Sequence, residues 1–395
     1  MVSNINALEK SSAAATWLVV IIAALLCLGA LMVFSAGASL DQSIELERFW
    51  EYSTMRRLAF VPIVLITLAL FSRLNFRHWL VWKRYFWSCP LVLLLAFSII
   101  LLILVLIPGM GTEINQSRRW FKIAAGSYGF TFQPSELAKW TVILFLAAYG
   151  SRMGDKMREF KKGFLPVAVV LGLVVTLVGK EDFGTAALIG AVGVAVMLAT
   201  GVRWWHLLLL VPLTAVAFYL LVYCDTHRWG RVLAFLYGDS SEVELPSAYH
   251  AKQSIMAIGV GGLWGTGLGQ GTVKLGWLPE DTTDFVFAVI GEELGLVGSL
   301  LIIGFFMALI VVSMVIVHRT NDNLARRIAL AIALMVGAQA VMNLCVVTAL
   351  TPTKGIALPF VSAGGTGLVL TAVAVGILVN IARQNQLREH WPGKN

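Results

Sequence analysis

The sequence predicts an all-α polytopic membrane protein with about ten transmembrane helices. Of its 395 residues, 58% are hydrophobic and 13% charged, and the mean hydropathy is +0.82. Apolar stretches long enough to cross a bilayer recur from end to end, and a water-soluble domain of this size does not carry that balance. Residues 1–395 therefore read as a single integral membrane domain.

The first span, 16–36, is a full-length apolar run without an obvious small-residue cleavage site, which separates it from a signal peptide. Spans at 57–72 and 87–109 follow, with Arg73, Arg77, Lys83 and Arg84 between them. The fourth, 135–150, leads into a basic loop of Arg152, Lys156, Arg158, Lys161 and Lys162. Spans 164–180 and 183–201 are joined by the tight hairpin Lys180-Glu181-Asp182, where helix termination followed by an Asp cap is the expected reading. A seventh span, 204–224, precedes a large loop at 225–284. The last three spans lie at 285–317, 327–350 and 356–382.

Basic residues gather in alternate connections, with few acids beside them, so both termini are expected in the cytoplasm. The net charge of +8 thus describes topology, and no basic tail or aromatic-interleaved basic segment suggests nucleic acid. Cys27, Cys89, Cys224 and Cys345 are far apart in apolar surroundings and read as small core residues. The six histidines never fall at metal-ligand spacing.

Two outer segments stand apart. One runs from 107 to 134 and carries Arg118, Arg119, Trp120 and Lys122; the other is the 225–284 loop, and long loops usually carry function. Within the second, 251–264 is apolar enough for a short helix at or in the membrane surface. Gly259, Gly261, Gly262, Gly265, Gly267, Gly269 and Gly271 punctuate its end and the residues after it, a spacing that suits a sharp backbone turn and not the GxGxxG of nucleotide binding.

Asp284 stands immediately before the eighth span. As a cap it would share that role with Thr282 and Thr283, and the helix dipole would favour its anion. As a general base it would need tuning toward neutrality by burial or by Glu280 and Asp281. Glu292 and Glu293 lie roughly 12 Å deeper on the same helix, where ionisable groups face a partner or a wet cavity. Glu136 and Lys139, spaced i, i+3, read equally as an ion pair and as the lining of a polar cavity. Arg118, Arg119, Lys122 and Lys354 oppose the positive-inside trend. Singly they read as solvated or snorkelling side chains; together they could bind an anionic head group such as a pyrophosphate.

Gln253–Gly298, which contains Thr283-Asp284-Phe285, resembles the large outer loop and following helix of the SEDS family of peptidoglycan polymerases. Gln133–Lys139, Arg228–Leu236, Thr353-Lys354-Gly355 and Leu358–Ser362 are similar to other signatures of that family, so the likeness covers nearly the whole chain. Pro352–Gly355 looks more like the division-associated FtsW branch than the elongation-associated RodA branch.

The resemblance implies a glycosyltransferase that extends glycan strands from lipid II at the outer leaflet of the bacterial plasma membrane, at the division septum for the FtsW branch. Asp284 matches the family's essential acid, expected to take the proton of the acceptor's 4-hydroxyl in an inverting displacement of undecaprenyl pyrophosphate. Arg119 is the first candidate for phosphate contact, followed by Lys354 and Lys139. Trp120 would pack on lipid or sugar or serve as an interfacial anchor, and Glu136 and Ser362 complete the expected substrate-binding set. Implied partners are a class B penicillin-binding protein, other division proteins and membrane lipids. No ligand motif for a metal is present, and a divalent cation bridging pyrophosphate and acid is chemically compatible with the site. A lipid II flippase using Glu136, Lys139, Glu292 and Glu293, and a non-catalytic divisome scaffold, are the alternatives. Departures from the family pattern fall at Gln116, Glu181 and Ala363.

Overall fold

The computed structural model describes residues 2–36, 53–80, 89–114, 117–125, 128–237, 246–272, 278 and 282–390. Its helices are α1 (Val2–Ala36), α2 (Ser53–Arg73), α3 (Arg77–Leu80), α4 (Pro90–Leu106), α5 (Pro134–Met153), α6 (Leu165–Gly179) and α7 (Phe183–Ala199). They continue as α8 (Trp204–Leu207), α9 (Leu210–Phe218), α10 (Thr226–Tyr237), α11 (Pro246–Gly261), α12 (Val286–Arg319), α13 (Asn323–Val347) and α14 (Thr366–His390). Six helical stretches of the described residues are long and apolar enough to cross a membrane, one of them Trp204–Tyr223, and three shorter apolar helices accompany them. Together with α5, which carries Glu136, Lys139 and Arg152, these occupy the places of the expected spans.

The tenth span starts later than hydropathy suggests. Helix α14 begins at Thr366, and residues 351–365 are a largely non-helical segment. Pro352 and Pro359 disfavour helix at the positions they follow, and buried Phe360 has a φ of 62°, a left-handed backbone costly for a bulky residue. The 107–134 segment adds a small antiparallel sheet in the order β1 (Thr112–Ile114), β2 (Ser117–Ala125), β3 (Tyr128–Phe132), with Phe121 opposite Phe132 and Lys122 opposite Thr131.

Helix α5 lies at the centre, buried over most of its length among α4, α7, α13 and α14. Helix α14 packs on α2 and α1, and α12 on α1, α11 and α13. Lipid tails are as apolar as leucine, so close packing and internal polar bonds hold such helices together. Gly150 lets α5 close on Thr200 at the end of α7, where a Cβ would come within 2.4 Å of the threonine methyl.

Helix α12 is broken at Gly295 (φ 66°, ψ −161°). The glycine-rich turn after α11 clasps the break: Thr266 N donates to Glu292 O at 2.9 Å and Gly267 N to Glu293 O at 3.0 Å. In return, Leu296 N donates to Gly262 O at 2.9 Å. A Cβ on Gly265 would stand 2.1 Å from Glu293 O, so the glycine there is a close-approach requirement. The carboxylates join the same clasp. Glu292 accepts from Thr272 N at 2.6 Å, and Glu293 accepts from Gly269 N at 3.1 Å and from Ser35 Oγ of α1 at 2.7 Å.

Candidate active site

The 351–365 segment organises the site: α13 bonds to it directly, the Thr282–Asp284 turn before α12 is tied to it, and α5 connects to it through Gln339. From α13, Gln339 Nε2 donates to Ala357 O at 2.8 Å, and one turn on Asn343 Nδ2 donates to Ile356 O at 2.7 Å. Asn343 Nδ2 also donates to Asp284 O at 2.8 Å, tying the start of α12 to the same segment. Ser362 Oγ accepts from Leu358 N at 2.8 Å and donates to Thr283 O, while Ala363 N donates to Thr282 O at 3.0 Å. The hydroxyl of Ser362 thus holds the Thr282–Asp284 turn against the loop.

Asp284 is half-buried and precedes Phe285, the residue in the cap position of α12. Its carboxylate lies over Gly355, where a Cβ would come 2.8 Å from Oδ2. The adjacent Lys354 runs the other way. Its Nζ sits 5.3 Å from the centre of the Phe183 ring, and its Cβ would be 3.2 Å from a Cβ on Gly184. Burial holds the Lys354 ammonium below the usual lysine range, with Asp182 partly offsetting the effect.

Asp182 is the hub of a charged group at the α6–α7 turn. Its carboxylate caps α7 by accepting from Thr185 N at 3.0 Å and Thr185 Oγ1 at 2.8 Å, and Arg119 Nη1 of β2 lies 3.5 Å away. Arg119 Nε is buried without a hydrogen-bond partner, so this guanidinium retains donor capacity. Arg228 of α10 fixes the turn from below by donating to Gly179 O at 2.8 Å and Leu221 O at 2.9 Å. Arg231, one turn on, is within electrostatic range of Arg119, Arg228, Asp182 and Asp225. The departure at Glu181 has a local job, since its carboxylate accepts from Arg118 N at 2.9 Å.

Lys139 is buried to 1% exposure, paired with Glu136 at 2.7 Å and donating to Gln339 Oε1 at 2.9 Å. The pair therefore connects through Gln339 to the loop beneath Asp284. Trp120 is half-buried on β2, opposite Thr112.

Asp284, Ser362, Lys354 and the Glu136–Lys139 pair all converge on the 351–365 segment, and Arg119 meets that segment's lysine through Asp182. Glu280, Asp281 and Gln116 lie outside the described residues. Motif reading passes over Gln339 and Asn343, which hold the 351–365 segment from α13, and names Gly355 only as part of a signature, without its place beneath the Asp284 carboxylate. The legible signal for the first two was a pair of amide side chains at i, i+4 in an apolar helix. Among the described residues, no group of three His, Cys, Asp or Glu is arranged to hold a metal ion.

A family profile described as "Cell cycle protein" (FTSW_RODA_SPOVE) matches residues 16–387. A protein of Trichlorobacter lovleyi named "Probable peptidoglycan glycosyltransferase FtsW" is 37% identical over 371 residues, 92% of either chain. Its namesake in Geobacter sp. (strain M18) is 35% identical over 91% of this chain and 94% of its own. A solved structure titled "Structural coordination of polymerization and crosslinking by a peptidoglycan synthase complex" contains a chain that superposes with a TM-score of 0.71. That chain is 25% identical, over 93% of this chain and 97% of its own length.

Proposed function

Because this chain belongs to the FtsW/RodA/SpoVE family of cell cycle proteins, we propose that it is a multi-pass membrane peptidoglycan glycosyltransferase of the FtsW branch, polymerising lipid II at the division septum. One observation carries the assignment of roles. Gly355 underlies the Asp284 carboxylate, while neighbouring Lys354 lies over Phe183, within electrostatic range of the Asp182 that pairs with Arg119. Consecutive Cα atoms are about 3.8 Å apart, so an acid and a cationic cluster flank a single short stretch of backbone.

In this reading Asp284 accepts the proton of the acceptor sugar's 4-hydroxyl as that oxygen attacks the donor's anomeric carbon. The bond from that carbon to the pyrophosphate oxygen breaks with inversion, and undecaprenyl pyrophosphate leaves. Arg119 and Lys354 stabilise the charge on the departing group. Asn343 and Ser362 act as positioning residues, since both bind the backbone that presents Asp284. Lys139 and Glu136 set the loop from below through Gln339.

The enzyme reading is favoured over a transport pathway because the intramembrane charges bind structural partners. Glu292 and Glu293 secure the glycine turn and α1, and Lys139 secures Glu136 and Gln339. The solved relative sits in a complex that polymerises and crosslinks, which supports a class B penicillin-binding protein as this chain's partner. The test is glycan synthesis from purified lipid II by wild type and Asp284→Asn. Loss of polymer in a folded Asp284→Asn supports the assignment, and undiminished polymer refutes it.

A further inference from the structure

At the opposite end of α5 from Glu136, about 25 Å along the helix at 1.5 Å per residue, the chain forms an open pocket of about 680 Å³ lined by charged side chains. A 3₁₀ turn, Gly154–Arg158, and a π turn, Phe160–Phe164, build one wall, and the start of α8 builds the other. Arg158, Lys161, Lys162 and Arg203 line it against two carboxylates, Asp155 and Glu159, leaving two positive charges in excess (4 − 2). Glu159 is already engaged by Lys162 at 3.7 Å.

The pocket is held in shape. Tyr149 Oη donates to Lys162 O at 2.6 Å, and a Cβ on Gly163 would come 2.4 Å from Met157 O. His206 packs against both Phe160 and Phe164, with ring centres at 5.5 and 5.4 Å, and its Nδ1 is buried without a hydrogen-bond partner.

Its surroundings are those of a membrane surface. Trp204 and Trp205 are exposed beside it, Arg203 lies over the Trp205 ring at 5.4 Å, and such residues mark the head-group level. The helical stretch Trp204–Tyr223 that descends from the pocket is 6% buried, and Leu208, Leu209, Val211 and Leu213 face outward along it. A basic, pre-shaped pocket above a bare apolar helix matches a molecule with a phosphate at one end and hydrocarbon at the other.

We propose that this pocket binds the phosphate of an anionic glycerophospholipid in the leaflet opposite the candidate active site, with the acyl chains against Trp204–Tyr223. The positive-inside pattern makes that the cytoplasmic leaflet. The interaction is independent of the glycosyltransferase reading, and its test does not use activity.

The full chain, purified in a neutral detergent, is titrated with phosphatidylglycerol, phosphatidylcholine or inorganic phosphate, with bound lipid counted by native mass spectrometry. Wild type is expected to retain one phosphatidylglycerol in preference to phosphatidylcholine, and inorganic phosphate at equal concentration is expected not to displace it. The triple variant Arg158→Gln, Lys161→Gln, Arg203→Gln, all exposed positions, is expected to weaken retention by at least about tenfold. If that variant does not fold, Lys161→Glu alone is expected to weaken retention in the same direction. Equal retention of phosphatidylglycerol by wild type and a folded variant overturns the proposal. Equal retention of phosphatidylcholine by wild type also overturns it. Displacement by inorganic phosphate at equal concentration identifies a free-phosphate site and overturns the lipid assignment.

Discussion

A single amide nitrogen, Nδ2 of Asn343, donates to the main-chain oxygen of Asp284 at 2.8 Å and to that of Ile356 at 2.7 Å. The acid's backbone is thereby pinned to the loop beneath it from a rigid helix, the arrangement a positioned base needs. Removing the amide takes one hydrogen bond from each of two main-chain oxygens, each bond worth about 0.5–1.5 kcal/mol. Asn343→Leu is expected to lower the polymerisation rate at least about tenfold, the effect of roughly 1.4 kcal/mol on a barrier. Initial rates at saturating lipid II, with a melting curve of the same preparation, separate lost rate from lost fold.

Gly355 makes a sharper probe of the carboxylate itself. A Cβ there would come 2.8 Å from Asp284 Oδ2, so Gly355→Ala is expected to displace the acid and abolish most activity. The backbone at Gly355 is not in the left-handed region, so folding and membrane insertion are expected to survive. Wild-type rates from Gly355→Ala would show that the position of this carboxylate does not matter.

Arg119 keeps an unused buried donor beside Asp182. Arg119→Ala is expected to raise the lipid II concentration needed for half-maximal rate by about tenfold or more, the scale of one charge-assisted hydrogen bond. Binding to the transpeptidase partner is expected to be unchanged. An unaltered concentration dependence would remove Arg119 from phosphate contact.

Much of this architecture is legible in the sequence. Hydropathy locates the spans because a bilayer demands long apolar helices, and Thr283-Asp284-Phe285 marks the acid through its family resemblance. Long-range relationships are less accessible. The 351–365 segment is apolar enough to pass for the start of a helix, yet its two prolines and the left-handed Phe360 keep it non-helical. The β1–β3 sheet is built from short strands, and pairings such as Phe121 with Phe132 and Lys122 with Thr131 leave no trace in hydropathy. Glu292 and Glu293 look like a pathway in sequence because their partners, Ser35 and the glycine turn, are far away or unremarkable in polarity.

Lys354 predicts a pH signature. Its ammonium is held below the usual lysine range by burial, offset in part by Asp182, so the folded state releases this proton at lower pH than the unfolded chain. Between those two pKa values the unfolded state binds more protons, and this group's contribution to stability rises with pH. In the proposed mechanism Lys354 is a cation for the leaving group, and its charge is lost over the same window. Lipid II use is therefore expected to decline on the alkaline side in wild type, and Lys354→Arg is expected to move that decline to higher pH. The measurement is the apparent affinity for lipid II as a function of pH. Coincident profiles would contradict the role of Lys354.

The role of Asp284 is decided by polymerisation of purified lipid II by wild type and Asp284→Asn, each with and without the class B penicillin-binding protein, glycan length being read on a gel. Wild type is expected to make long glycan, and an equally folded Asp284→Asn none under any condition. Glycan of wild-type length and yield from Asp284→Asn would contradict that role.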